Sequence, residues 1–358
     1  MTISPQQLLR AELANMQAYQ VANSEGLIKL DAMENPYSFP ASLQEQWLST
    51  LKELELNRYP DPQASQLKQD FRTTYAVSSN LEMLFGNGSD ELIQLLILAI
   101  AKPDACILTV TPSFSMYKII AEFVGVRVIE VPLTAETFAL QTNQVCKKIQ
   151  QHKPALVFLA CPNNPTGTLW PQAEVEKIVQ QSSGLVVIDE AYAPFAAYSM
   201  LPLVEKYSHV LMLRTLSKMG LAGLRLGWLL GAEQWLSELN KLRLPYNINA
   251  LTQASASLAL NNISIFDAQA KLICQQRQLL SAAMQEIEGL QVFPSEANFI
   301  LFKTLNSSAE IVFKRLIDNK ILIKFVANNK LLDNCLRVTV GAENENRAFI
   351  AALKNSLF

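Results

Sequence analysis

Six short apolar runs, separated by stretches with helical patterns, most constrain how this chain of 358 residues can fold. They are Cys106–Thr111, Val126–Val131, Ala155–Cys161, Gly184–Asp189, His209–Arg214 and Arg225–Leu230. The runs are rich in Val, Ile and Leu and do not alternate strictly with polar residues, which is typical of strands covered on both faces. The sequence therefore predicts an α/β protein whose mostly parallel sheet lies between two layers of helices.

The pattern changes after Pro245. Two long helical patterns are followed by strand-like and helical segments in turn: Ala250–Leu260, Ile263–Ile287, Asn298–Phe302, 308–319, Ile321–Phe325, Leu336–Val340 and a final helix. Such an order predicts a smaller α+β domain. We therefore expect an N-terminal arm at 1–35 that stands alone or joins this domain, a large domain at 36–245 and a small C-terminal domain at 246–358.

Composition excludes several classes of function. The formal net charge of -2 gives no reason to expect a nucleic-acid or membrane partner. The N-terminal segment has no apolar signal core, and Leu92–Ala101 is too short to span a bilayer and reads as a buried helix. The five cysteines form no C-x-x-C pair, which favours free thiols in a reducing cytoplasm and no metal site.

The stretch RTLSKMGLAGLRLG, at 214–227, places one lysine among phosphate-binding residue types. Lys218 follows Thr215 and Ser217 and precedes Arg225. An isolated lysine is most often a solvated surface residue. Two hydroxyls and a guanidinium, however, suit a phosphate dianion, and a lysine beside such a site can hold an aldehyde cofactor as a Schiff base.

Two other predicted strands end at polar residues of interest. Asp189 closes GLVVID, and a buried carboxylate there needs a partner, since an unpaired buried charge is costly. That partner is an arginine, a helix N-terminus, or the pyridinium nitrogen of pyridoxal 5'-phosphate (PLP). Tyr192, three residues on, and Asn164 in CPNNPTG are candidates for the phenolic oxygen of that cofactor. By itself, N-P-T-G is only a good turn.

The stretch GNGSD, at Gly86–Asp90, precedes an apolar helix that begins near Glu91. Its residues either cap that helix or form the second half of a phosphate site, because helix N-terminal amides attract phosphate. In the second case the backbone N–H of Asp90 contributes and its carboxylate does not. The segment is not G-x-G-x-x-G, which excludes the dinucleotide-binding fingerprint.

Taken in order, NPTG, GLVVIDEAY and TLSKMGLAGLRLG resemble the fold-type I PLP-dependent aminotransferases. Four further motifs extend the resemblance over most of the chain: KLDAMENPY, NRYPDP, GNGSDELI and LRVTVG. With them, the chain resembles the histidinol-phosphate aminotransferase branch of this family. The resemblance implies a large domain with a mostly parallel seven-stranded sheet, a smaller α+β domain and a homodimer with shared sites. It also implies transamination between L-histidinol phosphate or imidazole acetol phosphate and 2-oxoglutarate or L-glutamate in histidine biosynthesis.

The resemblance also implies roles for individual residues. Lys218 would attach the cofactor and move the substrate proton, Asp189 would pair with the ring nitrogen, and Tyr192 with Asn164 would hold the phenolic oxygen. Phe114 in TPSFSMYK would stack on the ring, although it reads equally well as a core aromatic. The phosphate would be held by Ser89, Asp90, Thr215, Ser217 and Arg225, and by Tyr59 of the neighbouring subunit.

The resemblance assigns substrate binding mainly to residues in the C-terminal part of the chain. Arg337 in LRVTVG would bind an anionic end of the substrate. The alternative interpretation is that Arg337 forms an ion pair on the surface of a strand. Tyr37, Asn298 and Asn164 would line the same pocket. Lys324 stands where an arginine is expected to contact the substrate phosphate, so it binds there as a point charge without the guanidinium fork.

Other functions on this scaffold remain open at the level of sequence. They are an aromatic or other amino-acid aminotransferase and a PLP-dependent decarboxylase of a phosphorylated amino acid, since the cofactor motifs do not separate them. A non-catalytic sensor is disfavoured because the family-like pattern starts by Lys29 and the charge is not basic. A hydrolase is disfavoured because there is no G-x-S-x-G and neither His152 nor His209 lies in a nucleophile motif.

Overall fold

The computed structural model describes residues 3–10, 13, 16, 18, 20–327 and 329–357. The strands are β1 (Ile28–Lys29), β2 (Leu81–Asn87), β3 (Cys106–Thr111), β4 (Arg127–Pro132), β5 (Leu156–Ala160), β6 (Leu185–Asp189), β7 (Val210–Thr215), β8 (Leu226–Ala232), β9 (Leu290–Val292), β10 (Phe299–Thr304), β11 (Ile321–Leu322), β12 (Lys324–Phe325) and β13 (Cys335–Thr339). The α-helices are α1 (Pro5–Leu8), α2 (Ala41–Lys52), α3 (Ser65–Thr74), α4 (Ser89–Ala99), α5 (Met116–Val124), α6 (Thr142–His152), α7 (Gln172–Gln181), α8 (Leu201–Lys206), α9 (Glu233–Asn240), α10 (Ala250–Asn261), α11 (Ile263–Gln285), α12 (Ala309–Asp318) and α13 (Glu343–Leu357).

The proposed division into an arm at 1–35, a large domain at 36–245 and a small domain at 246–358 stays a prediction. Part of it falls outside the described residues. Those positions are 1, 2, 11, 12, 14, 15, 17 and 19 in the arm, and 328 and 358 in the small domain.

The large sheet has seven strands in the order β2-β8-β7-β6-β5-β3-β4. The pairs among β3 to β7 are parallel, and β8 runs antiparallel to both β7 and β2. All six predicted runs lie in this sheet, so the α/β prediction is confirmed. β2 is not among the predicted strands because Glu82 interrupts its apolar run; that carboxylate accepts a hydrogen bond from Lys68 at 2.8 Å.

Both faces of the large sheet are covered, as the non-alternating runs require. In β5, Val157 and Leu159 pack into the cluster that carries side chains of α2, α3, α6, α7, α8 and α10. Leu156 and Phe158 of the same strand pack into the opposite cluster, with side chains of α4, α5 and α9. Successive residues of a strand point to opposite faces, so a strand buried on both sides must be apolar throughout.

The C-terminal part of the chain builds a second, antiparallel sheet in the order β12-β13-β10-β9. The run Ile321–Phe325, predicted as one strand, is two strands that belong to different sheets. β11 pairs in parallel with β1 from the N-terminal segment, whereas β12 pairs with β13. An apolar run predicts extended backbone but does not specify its hydrogen-bond partner, which explains the difference.

The topology brings several chain segments to one edge of the large sheet. The parallel strands β3, β5, β6 and β7 all end there, β8 starts there, and β2 ends there because it runs antiparallel to β8. Ligands of open α/β sheets bind at this carboxyl edge. Among the described residues, no helix is long and apolar enough to cross a bilayer.

Candidate active site

A cleft of about 550 Å³, including its open mouth, lies at the carboxyl edge of the large sheet. It is lined by ten of the residues predicted for the site: Ser89, Asp90, Phe114, Asn164, Asp189, Tyr192, Thr215, Ser217, Lys218 and Arg225. Met33, Ala160, Pro162 and Ala191 complete the lining. Residues that lie far apart in the chain thus converge on one cavity.

Lys218 occupies a short 3₁₀ helix, Ser217–Met219, directly after β7. Its Nζ lies 3.4 Å from the carbonyl oxygen of Ala32 and 5.9 Å from the centre of the Tyr192 ring. Burial, and then the positive charge of Arg337, lower the pKa of Lys218 to about 8. The unprotonated amine, which can act as a nucleophile or base, is therefore far more populated near neutral pH than in an ordinary lysine.

One end of the cleft is built from hydroxyls, a guanidinium and a helix N-terminus. Thr215 Oγ1 donates to Ser217 Oγ at 2.9 Å, and Arg225 lies 3.5 Å from Ser217 Oγ through Nη1. Gly88, at φ +83, precedes α4, and a Cβ there would come within 2.5 Å of Arg225 Nη2. The N-cap residue is Gly88, which has no side chain that could cap the start of this helix. The donor set therefore fits a phosphate group.

The other end of the cleft contains Asp189, a buried carboxylate without a cationic partner in the described part of the chain. Its oxygens accept hydrogen bonds from Tyr117 Oη at 2.6 Å and from the Ala191 N–H at 3.0 Å. Burial, which outweighs these two bonds, raises the pKa of Asp189 to about 6. Within the described residues, neither an arginine nor a helix N-terminus fills the partner role, which leaves room for a cation brought by a ligand.

A hydrogen-bonded chain crosses the cleft to the C-terminal sheet. Arg337 Nη1 donates to Asn164 Oδ1 at 2.5 Å, and Asn164 Nδ2 donates to Tyr192 Oη at 3.0 Å. The Arg337 guanidinium also lies over the Phe299 ring, 5.1 Å from its centre. The phenol of Tyr192 stays protonated because burial raises its pKa. Arg337 is therefore a buried group that joins the C-terminal sheet to residues of the cleft.

The segment at 31–33 closes the cleft from the N-terminal side. The Asp31 carbonyl accepts from Arg337 Nη2 at 2.8 Å, next to the Ala32 carbonyl that faces Lys218. Met33 lines the cleft at φ +56, held by its N–H to Thr339 and by its carbonyl to Asn298 Nδ2. β1 anchors this segment to β11, so the C-terminal part of the chain fixes it in place.

Besides Arg337, four predicted site residues do not line the cleft itself. Asn298 is buried and reaches it only through Met33, and Tyr37 packs against the core of the C-terminal sheet. Lys324 is paired in register with Arg337 across β12 and β13, which places both side chains on one face of that sheet. Tyr59 is 81% exposed and stacks on Tyr246 with ring centres 4.4 Å apart, away from its own cleft.

Comparison with protein-family models finds that the aminotransferase class I and II model matches residues 25–353. The chain belongs to this aminotransferase family. Histidinol-phosphate aminotransferase 2 of Nitrosococcus oceani is 48% identical over 349 residues, which cover 97% of each chain. Histidinol-phosphate aminotransferase of Chromobacterium violaceum is 44% identical over 99% of each chain. The family resemblance carried by the sequence motifs is confirmed.

Solved structures agree with the fold of this aminotransferase. The histidinol-phosphate aminotransferase of Clostridium acetobutylicum superposes with a TM-score of 0.84 at 25% identity, covering 92% of this chain and 98% of the other. The enzyme of Sinorhizobium meliloti, solved in complex with pyridoxal-5'-phosphate, gives 0.86 at 23% identity, covering 98% and 97%. The predicted fold class, a fold-type I transferase, is confirmed.

Sequence reasoning missed a buried ion pair behind the aminotransferase cleft. Glu190 follows Asp189 but points to the opposite face of the sheet, where Arg214 Nη2 lies 2.6 Å from its Oε2. Ser199 Oγ also bonds the Glu190 carboxylate, at 3.0 Å. The sequence contains one signal for this pair, namely oppositely charged residues at the ends of two neighbouring strands. The pair ties the end of β6 to the end of β7, next to the points where Asp189 and Lys218 enter the cleft.

Proposed function

We propose that this aminotransferase exchanges an amino group between L-histidinol phosphate or imidazole acetol phosphate and 2-oxoglutarate or L-glutamate, with PLP as cofactor, in histidine biosynthesis. One observation carries the cofactor assignment: a lysine amine with a pKa of about 8 lies between a phosphate-fitting cluster and a buried carboxylate without a cation among the described residues. The named relatives at 44% and 48% identity support the choice of substrate.

The residues of the cleft fit the two ends of PLP. Ser89, Ser217 and Arg225, with the backbone amides at the start of α4, would hold the phosphate. Asp189 would hold a proton on the ring nitrogen, since a buried carboxylate gains most from a charged partner. When bound, PLP supplies an electron-accepting ring that allows a proton to leave the amino-bearing carbon of the substrate.

Lys218 has two tasks in this proposal. Its amine would hold the cofactor, and it would also take up and deliver the proton that leaves the amino-bearing carbon of the substrate. Because burial and Arg337 lower its pKa to about 8, the amine can accept a proton near neutral pH and release it again. The Ala32 carbonyl, 3.4 Å away, orients Nζ within the cleft.

The hydrogen bonds that link Arg337, Asn164 and Tyr192 place two groups for contact with the ligands. Tyr192 Oη accepts from Asn164, so its own O–H is available to donate to the phenolic oxygen of the cofactor. Arg337 would bind an anionic end of the substrate, the carboxylate of glutamate in one half-reaction. Lys324, its partner across β12 and β13, would add positive charge for the phosphate of histidinol phosphate.

The absorbance of the purified protein with PLP, titrated with L-histidinol phosphate, tests the whole proposal. We expect a yellow band that bleaches on addition of L-histidinol phosphate and, separately, of L-glutamate. Lys324→Ala is expected to raise the half-saturating concentration of histidinol phosphate about tenfold, because a charge-assisted contact to phosphate is lost. Lys314→Ala, at an exposed lysine of α12, is the matched control and should behave as the native protein does.

Each other outcome of this titration removes a defined part of the proposal. Bleaching by glutamate or phenylalanine but not by histidinol phosphate would retain the aminotransferase and reject the substrate. Carbon dioxide release from a phosphorylated amino acid, without bleaching, would indicate a decarboxylase. Absence of a band after addition of PLP would reject the cofactor.

We also propose a homodimer in which Tyr59 contacts the phosphate of the cofactor bound by the partner. The support is a set of exposed apolar side chains in the two chain segments that the Tyr59–Tyr246 stack brings together. Leu56 is 70% exposed and Leu244 is 73% exposed. Exposed large apolar side chains in neighbouring segments are typical of a surface that another protein covers. A phenol held on the surface, outside its own cleft, is suited to reach a neighbouring site.

Mixing two impaired variants at a PLP concentration too low to saturate Tyr59→Ala tests whether sites are shared. Tyr59→Ala should weaken PLP binding, and Lys218→Ala should be inactive. Random pairing of the two produces mixed dimers with one intact site, so activity should recover to about one quarter of native under a two-fold arrangement. A mixture no more active than Tyr59→Ala alone, or a protein monomeric by light scattering at assay concentrations, would contradict the shared dimer.

A cytoplasmic location is part of the same proposal. All five cysteines are free thiols, and Cys106, Cys161 and Cys335 are buried. Disulfide-free proteins with several cysteines are typical of reducing compartments.

A further inference from the structure

Tyr117 is a buried phenol that none of the roles above uses. It is the second residue of α5, its side chain is fully buried, and its hydroxyl donates to Asp189 Oδ2 at 2.6 Å. The short distance is typical of an O–H donor to an ionised oxygen. The bond therefore favours the charged form of the carboxylate over the neutral one.

The Tyr117 ring is clamped by two other aromatic residues. It stacks on Phe158 of β5, with ring centres 4.7 Å apart and planes 12° apart. Its edge meets Phe114, at 5.5 Å and 85°. Phe114 lines the cleft, so one clamped phenol contacts both the aromatic group and the carboxylate that face the ligand. The hydroxyl oxygen cannot move away from Asp189 without displacing these rings.

Several titratable and charged groups surround Asp189. They come from α4, from α5, from the residues after β6 and from across the cleft: Asp90, Tyr117, Glu190, Tyr192, Lys218 and Arg225. Asp90 and Glu190 raise the pKa of Asp189, as burial does, whereas the bonds from Tyr117 and from the Ala191 N–H lower it. The pKa of Tyr117 is itself raised well above its ordinary value by burial and by Asp189. Its hydroxyl therefore stays a donor at every practical pH.

We propose that Tyr117 is a positioning residue of this aminotransferase: its hydroxyl fixes the direction of the Asp189 carboxylate toward the ring nitrogen of the cofactor and stabilises the charged form of that carboxylate. The inference rests on the proposed function, because it assigns Asp189 to the ring nitrogen. Tyr117 touches neither substrate nor cofactor in this account and acts through Asp189. Removing the hydroxyl would leave a carboxylate that is held at one oxygen only, by Ala191.

Tyr117→Phe removes the hydroxyl and keeps the clamped ring. Tyr207→Phe is the matched control, because Tyr207 Oη makes the same kind of bond, to Glu176 Oε1 at 2.8 Å, remote from the cleft. PLP affinity of the apoprotein is measured by equilibrium titration between about pH 5.5 and 9, and kcat and KM at about pH 8. We expect native affinity to decline below about pH 6. The decline should begin about one pH unit higher in Tyr117→Phe.

In Tyr117→Phe, kcat should fall about tenfold at unchanged KM, since a hydrogen bond to a charged group is lost. A pH dependence and a kcat equal to those of Tyr207→Phe would overturn the proposal. A native protein that binds no PLP at any pH would instead overturn the proposed function. If Tyr117→Phe fails to fold, 3-fluorotyrosine at position 117 replaces it. This more acidic phenol is a stronger donor and should move the decline to lower pH, and no downward shift would refute the inference.

Discussion

Lys218→Ala is expected to lower kcat for transamination by about 10⁴-fold or more, since one amine both holds the cofactor and transfers the proton. The substitution should leave the fold intact. Lys218 Nζ donates to the Ala32 carbonyl at 3.4 Å, a long and weak bond, and the surrounding 3₁₀ helix is held by its backbone and by Gly220 at φ +115. Turnover and circular dichroism of the purified variant provide the measurement.

Two control variants distinguish loss of the nucleophilic amine from loss of a positive charge. Lys218→Arg keeps a cation in the cleft but offers no nucleophile at neutral pH, so it should be as inactive as the alanine variant. Lys241→Ala changes an exposed lysine that pairs with Glu238 and should keep native turnover. In native apoprotein, reductive trapping of PLP should rise with pH about a midpoint near 8, the lowered pKa of this amine. Near-native turnover of Lys218→Ala would disprove its role.

Asp189→Asn is expected to lower kcat by about 10² to 10³-fold, the cost of removing one preorganised electrostatic group from an active site. An amide cannot hold a positive charge on the ring nitrogen, although it can still bind that nitrogen. Some PLP should therefore remain bound, with reduced affinity, in an equilibrium titration. Near-native kcat would show that Asp189 does not face the ring nitrogen.

The same variant should not destabilise the apoprotein, and this outcome tests the electrostatic account separately. The pKa of Asp189 is raised from 3.8 to about 6 on folding, so the folded protein holds this proton more tightly than the unfolded chain. Ionised Asp189 thus costs stability, and this cost develops between about pH 4 and 6 and is complete above about pH 6. The amide in Asp189→Asn carries no charge, and Tyr117 can rotate its hydroxyl to accept from it. Urea unfolding at about pH 8 should give a midpoint equal to or higher than that of native apoprotein.

The strands of the large sheet could be predicted because a strand buried on both faces must be apolar at every position. Val157 and Phe158 face opposite layers of helices and must both be apolar. β2 does not follow this pattern, since Glu82 interrupts it and finds its partner, Lys68, through tertiary structure. The division of Ile321–Phe325 between two sheets depends on which strands lie alongside, which the run itself does not encode.

For the candidate site, sequence reasoning identified residues that line the cleft where residue type and position at a strand end coincide, as for Asp189 and Lys218. It failed for Tyr117, because the segment SMYK does not distinguish a phenol that serves a carboxylate from an ordinary core aromatic. Tyr59 illustrates another limit. The structure of one chain shows this residue as exposed, and its proposed role depends on a second subunit.

The anchoring of β1 to β11 has a consequence for how the protein is made. Ile28 and Lys29 leave the ribosome long before their partners, Ile321 and Leu322, are translated. The backbone carbonyls that face Lys218 and Arg337 follow β1 directly, so they cannot take their places until then. Nascent chains usually fold from their N-terminus onward. Here an early-made stretch settles late, and the cleft is completed only after β11 has been translated.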